Sequence, residues 1–454
     1  MSAGKEHPYL PTTDIQRAEA LEAAGLTEEY LVQSILPDLR LQKPLDIPRA
    51  LSEPELTRHA RLCAGRNSTT AEAASFLGAG CYDHFIPAAV DAVAARGEFL
   101  TAYTPYQAEA GQGTLSAIFE YQTMIASLTG ADVSNAGVYD GATAVAEAVL
   151  MAKRLHRKSS KVVVSASLHP EYIETLRTYV QFTDIEIITT RLENGVTNVA
   201  DIAANAAGAF AVVAANPGFL GSIEPLRDIF DVARAQGALS IAVVNPFTLG
   251  VLEAPALLGA DIVCGDGQPL GCYQYYGGPA FGFMATRMEY IRQLPGRVAG
   301  ETRDASGRRG FTLTFQTREQ HIRRERATSN ICTNHALMSL RATVYLSLLG
   351  PRGLREAGEA STALAHYAAR KIAAVDGYSL VYDAPFFNEF AVTCPRRAAD
   401  VVRDVRGDGI LAGVPLERFF PGREKDLLVA VTEKRTVDEI DALAAALERA
   451  GGRT

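Results

Sequence analysis

The sequence predicts an α/β chain with a mostly parallel central sheet, a smaller C-terminal α+β domain and an N-terminal arm. Residues 238–287 hold three short apolar runs, ALSIAVVNPFTLG, GADIVCGDGQPLG and YYGGPAFGFMATR, each stopped by a polar or Gly-rich break. Runs of this length and composition read as consecutive buried strands. Upstream, from Val133, strand-like runs alternate with helical ones. Such alternation predicts parallel strands covered on both faces. The end of the chain has short strands with a helix on each side, which predicts the α+β domain. The expected boundaries are 1–75 for the arm, 76–330 for the large α/β domain, and 331–454 for a connecting helix with the small domain.

The first 75 residues read as helical and punctuated by proline. IQRAEALEAAGL follows Thr12-Thr13-Asp14 with apolar residues at helical spacing, and Gly25 is a natural stop. Pro37, Pro44 and Pro48 break helices and favour an extended segment lying across a surface. SEPELTRHARLCAGRN then reads as a helix with Ser52 as N-cap, Pro54 in the first turn and Glu55 three residues on. A helical cap folded on its own domain fits this pattern as well as an arm does.

Tyr103–Gly113 is polar and aromatic, and Pro105 with two glycines opposes a regular element. A long helix is expected from about Thr114 to Leu128. VSNAGVYDGATAVAEAVLMAKRL reads as a strand, a turn at Asp140-Gly141 and an amphipathic helix. KVVVSAS, IEIITTRL and FAVVAANPGFLG are further strands, with LHPEYIETLRTYV and LRDIFDVARAQG as helices. Ligands of such sheets sit beyond the carboxyl ends of the strands, which places His169, Asn216, Asn245 and Gln268 near one rim.

Residues 296–330 lose apolar spacing and gain arginine. Either an ordered loop grips something acidic or a flexible segment carries solvated charge. Thr328-Ser329-Asn330 and Thr333-Asn334 supply capping residues for the apolar helix HALMSLRATVYLSLLG, ended by Gly350-Pro351. Helix LREAGEASTALAHYAARKIAAV leads into strands YSLVYD, NEFAVTCP, ILAGVPLER and DLLVAVTE, with helices AADVVRDVRGDG and VDEIDALAAALERAG among them.

Composition excludes several classes. The formal charge of −8 argues against a nucleic-acid binder. No apolar run approaches the roughly 18 residues of a membrane span. MSAGKEHPYLPTTD has no apolar core, so a secretory signal is not expected. The six Cys are scattered without a C-x-x-C pair. Neither a disulfide framework nor a metal site is expected, most of them read as core residues, and a reducing cytoplasm fits.

Two places could carry chemistry. Tyr103, Tyr106 and Gln107 stand on an irregular loop, and Tyr combines an apolar body with a polar tip. Loop packing accounts for them equally well. The turn Asp140, Gly141, Thr143 opens a helix whose backbone N–H groups could face an anion, although helix starts commonly look like this.

Two long stretches, AYTPYQAEAGQGTLSAIFEYQTMIASLTGADVSNAGVYDGATAVAEAVLMA and RRERATSNICTNHALMSL, resemble the glycine-cleavage-system P-protein family, glycine dehydrogenase (decarboxylating). The resemblance covers nearly the whole chain, and the length matches subunit 1, the α-type chain of the family's split form. It implies the pyridoxal 5'-phosphate (PLP) transferase fold of the aspartate-aminotransferase type. It also implies that glycine is decarboxylated and its aminomethyl group passed to the lipoyl group of H-protein.

In that fold an Asp keeps the cofactor ring protonated and a Lys binds its aldehyde. Asn245 and Gln268 occupy the expected Asp and Lys places. None of the eight lysines (5, 43, 153, 158, 161, 371, 425, 434) follows the second strand of the 238–287 stretch. The resemblance therefore implies that PLP is held covalently by subunit 2 in an α2β2 assembly. This chain would contribute Tyr103, Tyr106 and Gln107 to an interface site, and Asp140, Gly141 and Thr143 would be a vestigial phosphate turn. The Arg-rich 318–326 segment would line the same entrance. A non-catalytic assembly or regulatory scaffold, and a self-sufficient enzyme with a displaced lysine, are the competing readings.

Overall fold

The computed structural model describes residues 11–41, 43 and 45–452, so Lys5 and Pro44 lie outside the described residues. The chain divides into two compact units, Met1–Asn67 and Ser68–Thr454. In the first, helices span Asp14–Ala23, Glu28–Val32 and Glu53–Ala64. Their N-termini are capped, the third at Ser52 as the sequence predicts. Thr13 exchanges bonds with Gln16, and the Glu55 carboxylate reaches back to the Ser52 N–H at 2.9 Å. None of these helices holds a buried residue.

The second unit is built on a seven-stranded sheet. In chain order its strands are β1 (Val133–Ser134), β2 (Lys161–Val164), β3 (Glu186–Thr189), β4 (Ala209–Asn216), β5 (Leu239–Val244), β6 (Ile262–Asp266) and β7 (Gly282–Thr286). Their spatial order is β1-β7-β6-β5-β4-β2-β3. The five strands from β6 to β3 are parallel, while β7 runs antiparallel to both of its neighbours. The three runs of residues 238–287 are therefore β5, β6 and β7.

Alternation along each strand sorts side chains to two faces. Val163, Val212 and Ala242 join one hydrophobic cluster, while Val162, Val164, Val213, Ile241 and Val243 join another. The first face is covered by α1 (Gln112–Thr129), through Tyr121 and Ile125, and by Leu226–Ala235, through Ile229 and Phe230. The second is covered by α2 (Gly141–Leu155) and α3 (Pro170–Val180). All eight residues of β4 are buried, as a central parallel strand requires.

A long helix, α4 (Ala336–Ala373), leads to the C-terminal layer. It kinks at Gly350, whose φ of 61° and ψ of −179° interrupt the helix just before Pro351. The C-terminal sheet is antiparallel, in the order Ser379–Leu380, Glu389–Thr393, Asp426–Ala430, Val414–Pro415. Residues 68–75, assigned to the arm on sequence, fall in the larger unit, where Ala74–Ser75 pairs with Ile410–Leu411. Phe76 is fully buried in the C-terminal core.

Residues 296–314 form no solvated coil. Val298–Arg303 and Arg309–Thr314 make an antiparallel hairpin. Two glutamines of α1 hold it by offering an amide in place of a neighbouring strand. Gln112 accepts from Phe311 N at 2.9 Å and donates to Phe311 O at 2.8 Å. Gln122 does the same with Ala299, at 2.8 and 3.0 Å.

Among the described residues no helix is long and apolar enough to cross a membrane, and no His/Cys/Asp/Glu group could hold a metal ion. Cys264, Cys272 and Cys394 are buried, Cys81 is partly buried, and Cys63 and Cys332 are exposed.

Candidate functional site

The carboxyl ends of β2, β4, β5 and β6 open onto a cleft of about 70 Å³, room for a few water molecules. Its lining includes His169, Tyr172, Gly218, Asn245 and Asp266, and no lysine. His169 caps α3. Its Nδ1 accepts from Glu171 N at 3.1 Å, so Nε2 carries the proton and donates to Ala79 O at 3.0 Å. Burial holds its pKa below the ordinary value. The ring stacks on Tyr172 with centroids 4.8 Å apart. Asn245 stands where β5 ends, and its Oδ1 accepts from Phe247 N at 3.0 Å. Asn216, at the end of β4, accepts from Glu224 N at 3.1 Å.

Gln268 turns away from this cleft. Its Oε1 accepts from Tyr82 N at 2.9 Å, and its Nε2 donates to Tyr82 O and Cys272 O at 2.9 and 2.7 Å. The side chain thus ties the Tyr82 backbone to the turn at Cys272. Glu389 of the C-terminal layer holds the same segment from behind, accepting from Ala79 N at 2.6 Å and from the Tyr82 hydroxyl at 2.8 Å.

The start of α2 is occupied by the chain's own carboxylates rather than open to an anion. Asp140 Oδ1 accepts from Thr143 N at 2.7 Å. Asp266 Oδ2 accepts from Gly141 N at 2.9 Å, and its Oδ1 accepts from Gln268 N at 2.8 Å. Burial pushes the Asp266 carboxyl up to about 6, against the opposing pull of the two amides.

A second cluster gathers around Arg297, which is 3% exposed. Its Nη1 donates to Thr333 Oγ1 and its Nη2 to the Tyr106 hydroxyl, both at 3.0 Å. Nη2 also donates to Cys332 O, and Nε lies 3.5 Å from Glu319. The Tyr106 ring packs against the guanidinium and edge-on to His321. One buried cation thus joins the 103–109 loop, the Arg-rich segment and the TSNICT segment. Ser329 adds a bond from that segment to Glu147 of α2, at 2.6 Å. Tyr103 is 75% exposed and Gln107 is exposed too, so neither enters this cluster. Arg318, in the same region, donates to Leu294 O, and burial lowers its pKa to about 10.

A family model described as glycine cleavage system P-protein matches residues 7–447. A relative from Chlorobium luteolum, named a probable glycine dehydrogenase (decarboxylating) subunit 1, is 48% identical over 443 residues, 97% of this chain and 99% of its own length. The chain belongs to the glycine cleavage system P-protein family. A crystal structure of a glycine decarboxylase (P-protein) in inhibitor-bound form is 43% identical and superposes with a TM-score of 0.90 over 98% of this chain and all of that one. A Lactobacillus brevis glutamate decarboxylase, 16% identical, covers 92% of this chain and 97% of its own at a TM-score of 0.68, a likeness of fold. The fold is that of PLP-dependent transferases of the aspartate-aminotransferase type.

Family and fold imply PLP, yet this P-protein chain's cleft does not fit it. No amine lines the cleft, Asn245 is neutral, and carboxylates take the Gly141 and Thr143 amides at the start of α2. Sequence reasoning singled out Tyr106 and the TSNICT segment but missed Arg297 and Asp266. Both lie in short runs without distinctive spacing, and only the fold shows what they meet.

Proposed function

We propose that this chain is subunit 1 of a two-subunit glycine decarboxylase, inactive alone, whose PLP is anchored by a lysine of subunit 2. The observation that carries this reading is Gln268. The residue at the expected lysine place is an amide whose oxygen and nitrogen are both engaged by backbone groups, so it is a structural tie. Subunit 1, the name carried by the near-full-length relatives, implies a second chain. In the α2β2 assembly this chain completes the partner's site from the Tyr103–Glu109 loop, with Tyr106 held ready by Arg297 and with Tyr103 and Gln107 reaching outward. The exposed arginines of 318–326 suit the approach of an acidic carrier, the lipoyl-bearing H-protein. Glycine is the substrate.

Borohydride reduction with PLP tests the division of labour. The expected result is no lysine–pyridoxyl adduct on this chain and a stoichiometric one on subunit 2 after mixing. An adduct on Lys153, Lys161 or another lysine here would favour a self-sufficient enzyme. Kinetics of the reconstituted complex test the loop. Tyr103→Phe and Gln107→Ala are expected to change kcat or KM, and unchanged values with intact association would leave this chain a scaffold.

A further inference from the structure

The N-terminus of α2 has the makings of an anion site, with successive backbone N–H groups and the positive end of a 15-residue helix. Two carboxylates fill it, and they differ in kind. Asp140 is an ordinary N-cap, bonded three residues on to Thr143. Asp266 arrives from the end of β6, 125 residues away in the chain, to accept from the first amide of the helix. Its second oxygen is held by Gln268 N, so the carboxylate is fixed at both oxygens.

The packing around Gly141 is close. A Cβ built on Gly141 would meet the Tyr172 hydroxyl, and would stand 2.8 Å from both Cβ and N of Asp266. Helix, tyrosine and the Asp266 backbone are therefore in close contact on the Cα side of Gly141, and it is the Asp266 carboxylate that takes the Gly141 N–H an anion would need. Charge opposes such an anion as well. With its pKa near 6, Asp266 is mostly ionised at neutral pH, beside the second negative charge of Asp140.

We infer that Asp266 is an internal replacement for a bound phosphate: its carboxylate satisfies the α2 N-terminus, bars phosphate esters from the cleft, and frees this subunit's fold from dependence on a cofactor. This goes beyond the absence of a lysine. A chain without the anchoring amine could still bind PLP non-covalently through its phosphate, and Asp266 closes that route too. It follows that removing the carboxylate uncovers a phosphate site that the fold already contains.

The test uses the full-length chain, inorganic phosphate as the probe, and chloride at matched ionic strength as the control. Binding is read by phosphorus NMR line broadening and by the thermal midpoint. The wild type is expected to show no phosphate-specific change in either. Asp266→Ser is expected to show saturable broadening, a rise in midpoint, and phosphate affinity at least ~10-fold above the wild type, from one removed like charge and one freed helix terminus. If the serine variant does not fold, Asp266→Ala, which likewise removes the charge and frees the Gly141 N–H, is read by the same criterion. Phosphate binding by the wild type as tight as by the variants overturns the inference, as does the absence of any gain in the folded variants. No glycine, PLP or partner chain enters the measurement, so the result is independent of the proposed function.

Discussion

Arg297 is the residue on which the Tyr106 loop and the TSNICT segment both depend. Replacing it by Met would leave the Tyr106 hydroxyl and Cys332 O without their donor and the buried Glu319 carboxylate without its counter-charge. Removing one partner of a buried ion pair costs about 3–5 kcal/mol. Arg297→Met is expected to lose stability on that scale in urea unfolding. Arg297→Lys should recover only part, because an ammonium keeps the charge without the planar fork. A second residue sets a pH dependence. Glu389 is 3% exposed, and burial raises its carboxyl from 4.5 to about 7, against the pull of Ala79 N and the Tyr82 hydroxyl. Since the folded pKa lies above the unfolded one, the folded state holds the proton more tightly, and stability falls as pH rises from about 4.5 to about 7. At roughly 1.4 kcal/mol per pKa unit the cost at neutral pH is about 3 kcal/mol. Glu389→Gln is uncharged at every pH, and the Tyr82 hydroxyl can turn to accept from its amide. The stability of this variant relative to the wild type is therefore expected to rise between pH 5 and pH 8 in denaturant titrations, and a flat difference would remove Glu389 as the source. Neither residue was legible in the sequence. An arginine after Gly296 and a glutamate opening NEFAVTCP look like ordinary surface charges until the chain brings Tyr106 and Tyr82 against them.

At the level of elements, strands β2 and β4 to β7 were legible because β-branched runs bounded by Gly, Asn and Pro have few alternatives. The hairpin of residues 298–314 was not. Its sequence, VAGETRDASGRRGFTLT, lacks clean alternation, and its order comes from Gln112 and Gln122, 199 and 177 positions distant from their partners. Gln122→Ala would leave the buried N–H and C=O of Ala299 unpaired, a loss of about 1–3 kcal/mol. Faster amide exchange is expected across the hairpin, with β4 unchanged. Equal acceleration in both would mean that Gln122 supports the whole unit instead. The kink in α4 was legible from Gly350-Pro351, and it gives a prediction free of packing effects. A φ of 61° with ψ of −179° is a conformation almost reserved for glycine. No heavy atom lies within 4 Å of a Cβ placed there. Gly350→Ala should therefore cost about 1–3 kcal/mol from backbone strain alone, read as a shift in denaturation midpoint at unchanged slope. A neutral result would show that the kink straightens readily.

For the molecule as a whole, what holds residues 11–67 differs from what holds the remainder. Among the described residues, the hydrophobic clusters of the larger unit are built from Ala74 onward. The first unit instead exposes Ile15, Leu36, Leu39, Leu41, Ile47 and Leu62, and its helices bury nothing. Burying a side chain of this kind is worth about 1.5–3 kcal/mol, while ordering each residue costs roughly 1–2 kcal/mol of backbone entropy. Capping boxes at Thr13 and Ser52 contribute only about 1 kcal/mol each, so the balance has to come from another surface. In the proposed assembly that surface is subunit 2. A chain starting at Ser68 is accordingly expected to unfold cooperatively, with a midpoint within ~4 °C of the full chain. Its association with subunit 2, followed by sedimentation, should weaken by ~10-fold or more, since even one lost apolar anchor is worth about that factor. Association of the shortened chain at full strength would refute the arm's role in assembly. Loss of the cooperative transition would mean that the larger unit needs the arm for its own folding.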